Sequence, residues 1–358
     1  MPIVPLYGHG DLRARLRDMT VRGALPSTLL LQGPPGVGKQ RLALWLAQCL
    51  LCEALTSEPC GDCRHCRFAA DLRHPDLHWV FPRPRPKDSD PDLEDVRSDL
   101  LEAVAERAGD KGLYAPPSGS DGIFVATIRS VVQQAVLSPS IAARKVFVIG
   151  DADRMVSQEG SDQAANAFLK LLEEPLADTT IILTSSESGA LLPTVRSRAI
   201  SFRVAPLGQD DMRQFLADAN VASALEDASN LPETVAERLV YAAGAPGRLL
   251  AGESWRTAME NAGRIMDAVS GRAPARYEAA WSQAPVRARG SFADTLDALT
   301  VSLHQRAVAA VRAGKDREAL AAGRAVELVE GAKEQVAHNV SPQLLTVNLV
   351  RSLQELFS

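Results

Sequence analysis

The 358-residue chain has few aromatic residues, 5% in all, and they are not interleaved with basic ones. Positive charge is not in excess either: 39 lysines and arginines against 44 aspartates and glutamates leave a formal net charge of −5. A global basic footprint for nucleic acid is thereby excluded, and any such contact must be local or shared with partners. No apolar run is long enough to cross a membrane, so no membrane partner is expected. The segment from Met1 to Gly10 lacks the charged and apolar regions of a signal peptide, which points to a cytoplasmic location. There are five cysteines, four of them crowded between Cys52 and Cys66. In a reducing compartment that crowding suggests a metal site rather than disulfides. Internal repeats and coiled-coil heptads are absent.

What is present is the balance of a globular protein, 46% hydrophobic and 23% charged residues, in a chain long enough for two or three domains. Leu12 to Arg22 reads as a short amphipathic helix with Asp11 as its N-cap. Thr28 to Gln32 is an apolar run ending in a glycine-rich loop, the pattern of a buried strand. Lys39 to Cys52 reads as a helix, with Leu42, Leu46, Cys49 and Leu50 on one face. Proline and glycine between about Pro82 and Gly122 argue for an irregular surface insertion, with room for a helix over Asp95 to Arg107. Helix and strand then alternate: helix over Ile128 to Leu137, strand over Lys145 to Gly150, helix over Ala164 to Leu172 stopped before Pro175, and strand over Thr180 to Thr184. Alternation of this kind predicts a parallel sheet covered on both faces, an α/β fold. Beyond Pro206 strand signals vanish. Leu207 to Leu250 reads as a small helical bundle, and Glu253 to Ser358 as helix throughout. Phe292, Leu296, Leu299 and Leu303 form one apolar stripe there. Leu345, Leu349, Leu353 and Leu356 form another, behind a helix start at Ser341-Pro342.

Gly33 to Lys39, GPPGVGK, fits the phosphate-loop pattern in the strand-then-helix context that the pattern requires. Gly33, Gly36 and Gly38 let backbone N–H groups converge on phosphate oxygens, the helix N-terminus adds partial positive charge, and Lys39 reaches the outer phosphates. The next residue departs from the pattern. A serine or threonine hydroxyl there would hold Mg²⁺, and this chain has Gln40. The strand ending at Asp151 supplies one acidic group suited to metal, but Ala152 follows where a water-activating glutamate would stand, and Asp153 is placed elsewhere on the turn. Two defects in one apparatus predict a phosphate cradle that binds ATP or ADP weakly and does not hydrolyse it. Cys60-x2-Cys63-x2-Cys66, with Cys52 eight residues before, has the spacing of a closed tetrahedral thiolate site for structural Zn²⁺. Cys49 is the poorer alternative as fourth ligand, since it falls on the apolar stripe. His65 would crowd its neighbour Cys66, and a solvated face accounts for Arg64, Arg67 and Arg73.

Four segments, in order, carry a resemblance to a known family. They are LLLQGPPGVGK at Leu29 to Lys39; the cysteine module followed by HPDLHWV at His74 to Val80; NAFLKLLEEP at Asn166 to Pro175; and TVRSRA at Thr194 to Ala199. On these the chain resembles the delta-prime family of bacterial DNA polymerase III clamp-loader subunits, within the AAA+ class, over most of residues 25 to 206. The resemblance implies an AAA+ P-loop domain (residues 1–206) carrying the zinc module, a small helical lid (207–252) and an all-α collar domain (253–358). It implies a pentameric ring with delta and gamma/tau subunits, which loads the sliding clamp on primed DNA within the nucleoid-associated replisome. Cys52, Cys60, Cys63 and Cys66 carry over as the zinc ligands. Arg198 carries over as an arginine finger facing a neighbour's ATP, with Arg196 close enough to need separate testing and Glu187 the local carboxylate that a purely surface arginine would pair with. The departures are Ala199 in place of a cysteine and Gly244 to Arg248, where the sensor-like arginine is one place off. No polymerase active site is visible, so DNA-directed DNA polymerase (nucleotidyltransferase) activity would belong to the holoenzyme and no intrinsic catalysis is expected of this chain. Two other readings stay open: an ATP-hydrolysing gamma/tau-type motor, and a zinc-dependent nucleic-acid-binding module with a vestigial phosphate loop.

Overall fold

The computed structural model describes residues 2–88, 90–117, 121–155, 162–173, 176, 178–187, 189–226, 231–271, 273–283, 289–337 and 340–357. The chain forms two compact units, Met1–Leu250 and Ala251–Ser358. The first unit is built on five strands, β1 (Thr28–Gln32), β2 (Leu77–Val80), β3 (Lys145–Ile149), β4 (Thr179–Ser185) and β5 (Ile200–Arg203). They lie in the order β2-β3-β4-β1-β5, and every pairing is parallel. The helices of this part are α1 (Gly10–Val21), α2 (Lys39–Leu51), α3 (Arg64–Ala70), α4 (Leu93–Gly109), α5 (Val125–Val136), α6 (Asp162–Glu173) and α7 (Pro193–Arg196).

The side-chain alternation of a strand decides how this sheet is covered. Leu29, Leu31, Trp79, Val146, Val148 and Ile182 point to one face, where Leu42 and Leu46 of α2 pack. Leu30, Val80, Phe147, Ile149, Ile181 and Leu183 point to the other, against Ile128 of α5 and Phe168 of α6. Each fully buried side chain of this size contributes about 1.5–3 kcal/mol, and the two apolar faces hold β1 inside the sheet, paired with β4 on one flank and β5 on the other. The α/β fold with a parallel sheet is thus the one expected, and β1 has its expected bounds.

Four elements were not foreseen: α3, the short helix α7, β2 and the edge strand β5. Asp11 is not the cap of α1. The helix begins two residues earlier, His9 holds the cap position in a left-handed conformation (φ 59°), and Asp11 stands in the first turn, where its charge still suits the helix end. The insertion is less irregular than expected. Its helix α4 starts at Leu93 behind Asp92, whose carboxylate accepts the Glu94 N–H at 2.8 Å. Its ends are tied by two backbone bonds between Arg83 and Gly122, of 3.0 and 2.9 Å. Ser118 to Ser120, in the glycine-rich stretch that follows α4, lie outside the described residues, as do Glu174 and Pro175.

The rest of the first unit is helical: α8 (Gln209–Ala217), α9 (Ala219–Glu226), α10 (Val235–Ala242) and α11 (Gly247–Leu250). They gather Met212, Phe215, Val221, Leu225 and Leu249 into a further core cluster, which Val4 of the N-terminal segment joins. Thr234 and Glu237 form a capping box at the start of α10. The second unit contains α12 (Glu253–Ser270), α13 (Ala273–Trp281), α14 (Arg289–Arg312), α15 (Asp316–Ala337) and α16 (Pro342–Phe357). Both expected stripes face its interior. Phe292, Leu296, Leu299, Leu303, Leu345, Leu349 and Leu353 are buried, and Leu356 is half-buried. Lys333 crosses from α15 to Asp297 of α14 at 2.7 Å. No helix among the described residues is long and apolar enough to cross a membrane.

His78 of β2 lies opposite Phe147 of β3 and stacks on it, with ring centroids 4.6 Å apart and planes 13° from parallel. Burial, with the Lys145 charge beside it, pushes its pKa from 6.5 down to about 4. A depressed folded-state pKa contributes stability that is fully present above the unfolded value and lost as pH falls through the folded one. The contribution of neutral His78 is therefore lost between pH 6.5 and about 4. Replacing His78 with Phe keeps the stack and should flatten the fall of Tm across that window. An unchanged slope would show that His78 is not its source.

Candidate functional site

The loop from Gly33 to Lys39 joins β1 to α2 at the C-terminal edge of the sheet. Gly36 (φ +79°) and Gly38 (φ +95°) hold left-handed conformations that favour glycine. Gly33 needs glycine for another reason, since a Cβ there would stand 2.1 Å from the Val204 carbonyl oxygen. The Lys39 ammonium turns back onto its own loop, donating to the carbonyls of Gly33 and Pro34 at 2.9 Å each and to the Ser186 hydroxyl at 2.8 Å. The Gly36 carbonyl accepts the Gly247 N–H at 2.9 Å, so α11 begins directly over the loop. His9 adds a bond from its Nε2 to the Val37 carbonyl at 2.9 Å.

Gln40, at the position that would offer a hydroxyl, is buried and bound at both ends of its amide. Its Nε2 donates to Asp151 Oδ2 at 2.9 Å, and its Oε1 accepts the Trp79 indole N–H at 3.0 Å. The amide also presses on the end of β3, where a Cβ on Gly150 would fall 2.3 Å from Gln40 Oε1. Asp151 sits in a left-handed conformation (φ 47°), with its N–H on the Thr184 hydroxyl at 2.9 Å. Burial pushes its carboxyl above the usual range, against the opposing pull of the Lys39 charge. Ala152 is buried, and Asp153 turns toward β4, accepting the Ser186 N–H at 3.2 Å. The structure thus brings Lys39, Gln40 and Asp151 together and leaves Ala152 and Asp153 with no group at the water-activating position.

One participant comes from the insertion. The Arg107 guanidinium of α4 lies 3.3 Å from the Phe81 ring centre, 3.8 Å from Tyr114 and 4.7 Å from Trp79, an aromatic box around a cation. Burial pulls its pKa down to about 10, with Tyr114 and Asp151 drawing it the other way. Sequence spacing gave no signal for this residue, because its partners come from β2, from the residue just after it and from the loop after α4. Arg248 is also buried, but it donates to the Ala242 carbonyl at 3.0 Å.

The four cysteines Cys52, Cys60, Cys63 and Cys66 converge, each sulfur within 4.8 Å of the others, and Cys60 Sγ lies 3.9 Å from Cys66 Sγ. Four thiolates at zinc's bond length of about 2.3 Å would stand about 3.8 Å apart, so the donor set fits a tetrahedral ion. Backbone N–H groups of Cys60, Cys63 and Cys66 point at the sulfurs of Cys52, Cys60 and Cys63, at 3.3–3.4 Å. Such bonds favour thiolate, and they draw the Cys60 thiol down to about 7, the Cys63 N–H foremost, while burial pushes Cys52 and Cys66 up. Cys49, 2% exposed in α2, stands outside the cluster. His65 also turns away. Its Nδ1 meets His74 Nε2 at 2.7 Å, and its Nε2 lies 3.0 Å from Glu53. His74 in turn accepts the Asp76 N–H at 3.0 Å. The Asp76 carboxylate receives the N–H groups of Ser140, Ile141 and Ala142 at 2.5–2.9 Å. This chain of polar contacts ties the cysteine module to the sheet.

Arg198 follows α7 just before β5. Its guanidinium bridges Glu173 Oε1, at 2.6 Å, and the Thr194 carbonyl, at 2.9 Å. The carboxylate it pairs with is Glu173 of α6, not Glu187. Arg196, in the last turn of α7, is exposed.

Residues 8–208, more than half of the chain, match the family described as "DNA polymerase III, delta subunit". The chain belongs to this family. Among its relatives, the DNA polymerase III subunit delta' of Pseudomonas aeruginosa is 31% identical over 172 residues, 48% of this chain and 40% of that protein. The DNA polymerase III subunit tau of Salmonella typhimurium is 30% identical over 212 residues, 59% of this chain and 26% of that protein. A solved structure of a DNA polymerase III gamma subunit-related protein from Thermotoga maritima covers 95% of this chain and 98% of that one, at 16% identity and a TM-score of 0.40. The chain spans about half the length of the curated delta' relatives it matches, 40% to 55%. The phosphate loop, the cysteine cluster, Asp151 and Arg198 all fall inside the family match.

Within this family member the Gln40 amide is a buried bridge whose removal strands two partners, the Trp79 indole N–H and the Asp151 carboxylate. Gln40→Ala should cost about 1–3 kcal/mol in urea unfolding. A loss within about 0.5 kcal/mol, the range of an ordinary surface change, would mean that the bridge is incidental.

Proposed function

We propose that the chain acts as a delta'-type subunit of the DNA polymerase III clamp loader, taking part in placing the sliding clamp on primed DNA without hydrolysing ATP itself. The observation that carries the second half is the closed bridge from Trp79 through Gln40 to Asp151. An amide donor on the carboxylate stands where a hydroxyl-coordinated Mg²⁺ would neutralise it, and Ala152 has no group to orient water. Metal charge and water positioning supply most of the barrier reduction in phosphoryl transfer. Gly33, Gly36, Gly38, Lys39 and Asp151 remain the residues that would meet a weakly bound ATP or ADP. In this reading the protein works in the cytoplasm, with delta and gamma/tau subunits as neighbours in a pentameric ring. Residues 253–358 serve as its oligomerising collar, and 207–252 as a lid on the P-loop domain of residues 1–206.

Arg198 is its contribution to chemistry. Exposed beyond α7, it would reach a neighbour's nucleotide and stabilise charge on the transferring γ-phosphoryl group, an effect worth roughly 10³ to 10⁵ in rate. Cys52, Cys60, Cys63 and Cys66 would hold one Zn²⁺ as a structural cross-link of the module, with no open position for catalysis.

The 30% identity to a tau subunit favours the gamma/tau motor as the second reading, and turnover separates the two. The isolated chain should show negligible ATPase activity with or without DNA. Motor-scale turnover abolished by Lys39→Ala would instead mark the gamma/tau class. In the reconstituted complex, Arg198→Ala should leave assembly intact and lower ATP turnover and clamp loading. If Arg196→Ala does so in its place, the finger is Arg196. If neither does, the chain is a scaffold. Metal analysis of protein prepared without chelator should give about one zinc per chain; metal-free protein with four titratable thiols would overturn that assignment.

A further inference from the structure

Glu173 is the last residue of α6 and lies within NAFLKLLEEP, one of the four stretches that carry the family resemblance, and the function proposed above leaves it without a role. Its carboxylate lies 2.6 Å from an Arg198 nitrogen, while the other terminal nitrogen is held by the Thr194 carbonyl at 2.9 Å. The guanidinium is thus engaged at both of its terminal nitrogens by groups of its own chain. The pair is also open to exchange, since the Arg198 and Glu173 side chains are 33% and 48% exposed. Leu192 and Ile200, on either side of Arg198 in the chain, stand exposed at 46% and 54%, although both are large and apolar.

Resting on the reading of Arg198 as a finger in trans, we propose that Glu173 is its latch: a carboxylate that holds the guanidinium while no neighbouring nucleotide is docked and yields it when a triphosphate arrives. The exchange follows from the chemistry of the acceptors. A guanidinium binds carboxylate and phosphate with the same planar fork. A γ-phosphate carries more charge and more acceptor oxygens than one carboxylate, so the phosphate wins once the subunits meet. Before that, the half-exposed ion pair parks the finger in a defined place and sets a threshold for its release. An exposed pair of this kind is weak, equivalent to no more than about a fivefold bias in the equilibrium. That is enough to grade the finger's engagement without blocking it. Glu173 is therefore a positioning residue that never touches the nucleotide.

The test is the complex reconstituted with its ATPase subunits, with ATP turnover measured for Glu173→Gln, Arg198→Ala and the double variant. Glu173→Gln keeps the size of the side chain and removes the competing charge. It should lower KM for ATP, raising kcat/KM about two- to fivefold, with kcat and assembly unchanged. In the Arg198→Ala background the same substitution should do nothing, because the latch acts only through the arginine. If Glu173→Gln slows turnover, the carboxylate orients the finger for catalysis and the latch is overturned. If it changes nothing while Arg198→Ala slows turnover, the ion pair is incidental and the finger stands alone. If Arg198→Ala itself has no effect, the finger reading fails, and the latch fails with it.

Discussion

A glutamine amide at the mouth of the sheet organises the phosphate-loop side of this protein. Gln40 sits on the first turn of α2, and the strand ends around it carry one acid, Asp151, and one indole donor, Trp79. An amide has a donor and an acceptor at fixed separation, and here each finds its complement in a buried setting. Breaking either bond would leave a polar group unpaired away from water, where the penalty is larger than the net gain of an ordinary hydrogen bond. The bridge therefore links α2, β2 and the end of β3, with the amide N–H on the Asp151 carboxylate. Lys39 folds back on the loop's own carbonyls in the same spirit. The phosphate loop keeps its glycine-dependent shape while its two charged groups are satisfied from within the chain.

The insertion belongs to this arrangement more closely than its composition suggests. Its helix α4 delivers Arg107 into a box of Trp79, Phe81 and Tyr114, and Trp79 is the donor to Gln40. A guanidinium loses less on leaving water when aromatic faces surround it, and its charge opposes that of Asp151 nearby. The cysteine module is fixed to the other end of the same sheet region by different means. Glu53, His65, His74 and Asp76 form a continuous polar strut that ends on three backbone N–H groups at 140–142. A loop carrying four convergent thiols thereby has a defined orientation toward β2 and β3.

Much of the molecule was legible before any coordinates. The bounds of β1, the core of α2, the strands β3 and β4 and the helices between them follow from short apolar runs and 3.6-residue periodicity. These segments bury nearly every side chain on one or two faces, so pattern and structure coincide. β2 was missed because His78 interrupts a run of only four residues, and β5 because as an edge strand it buries Phe202 alone. α3 lies within the cysteine spacing, which reads as a metal motif and hides its seven-residue helix. The N-cap of α1 shifted because a left-handed His9, tied to the Val37 carbonyl, starts the helix early.

For the site, the sequence by itself determined which residues are available. It set a loop whose glycines can turn, an amide in place of a hydroxyl, an alanine in place of a glutamate, four cysteines at ligand spacing, and an arginine beyond the strand at 180–184. Those are matters of chemical identity and local reach, and local reach is encoded within a few residues. What only the tertiary structure decided is which of them meet. Asp151 and Gln40 are separated by 111 positions and Arg198 and Glu173 by 25, and no periodicity links such partners. Their encounter is fixed by the order β2-β3-β4-β1-β5, which stacks the ends of non-consecutive strands side by side. The folded chain chose Glu173 over Glu187 for Arg198, because strand order acts over distances that spacing along the chain does not measure.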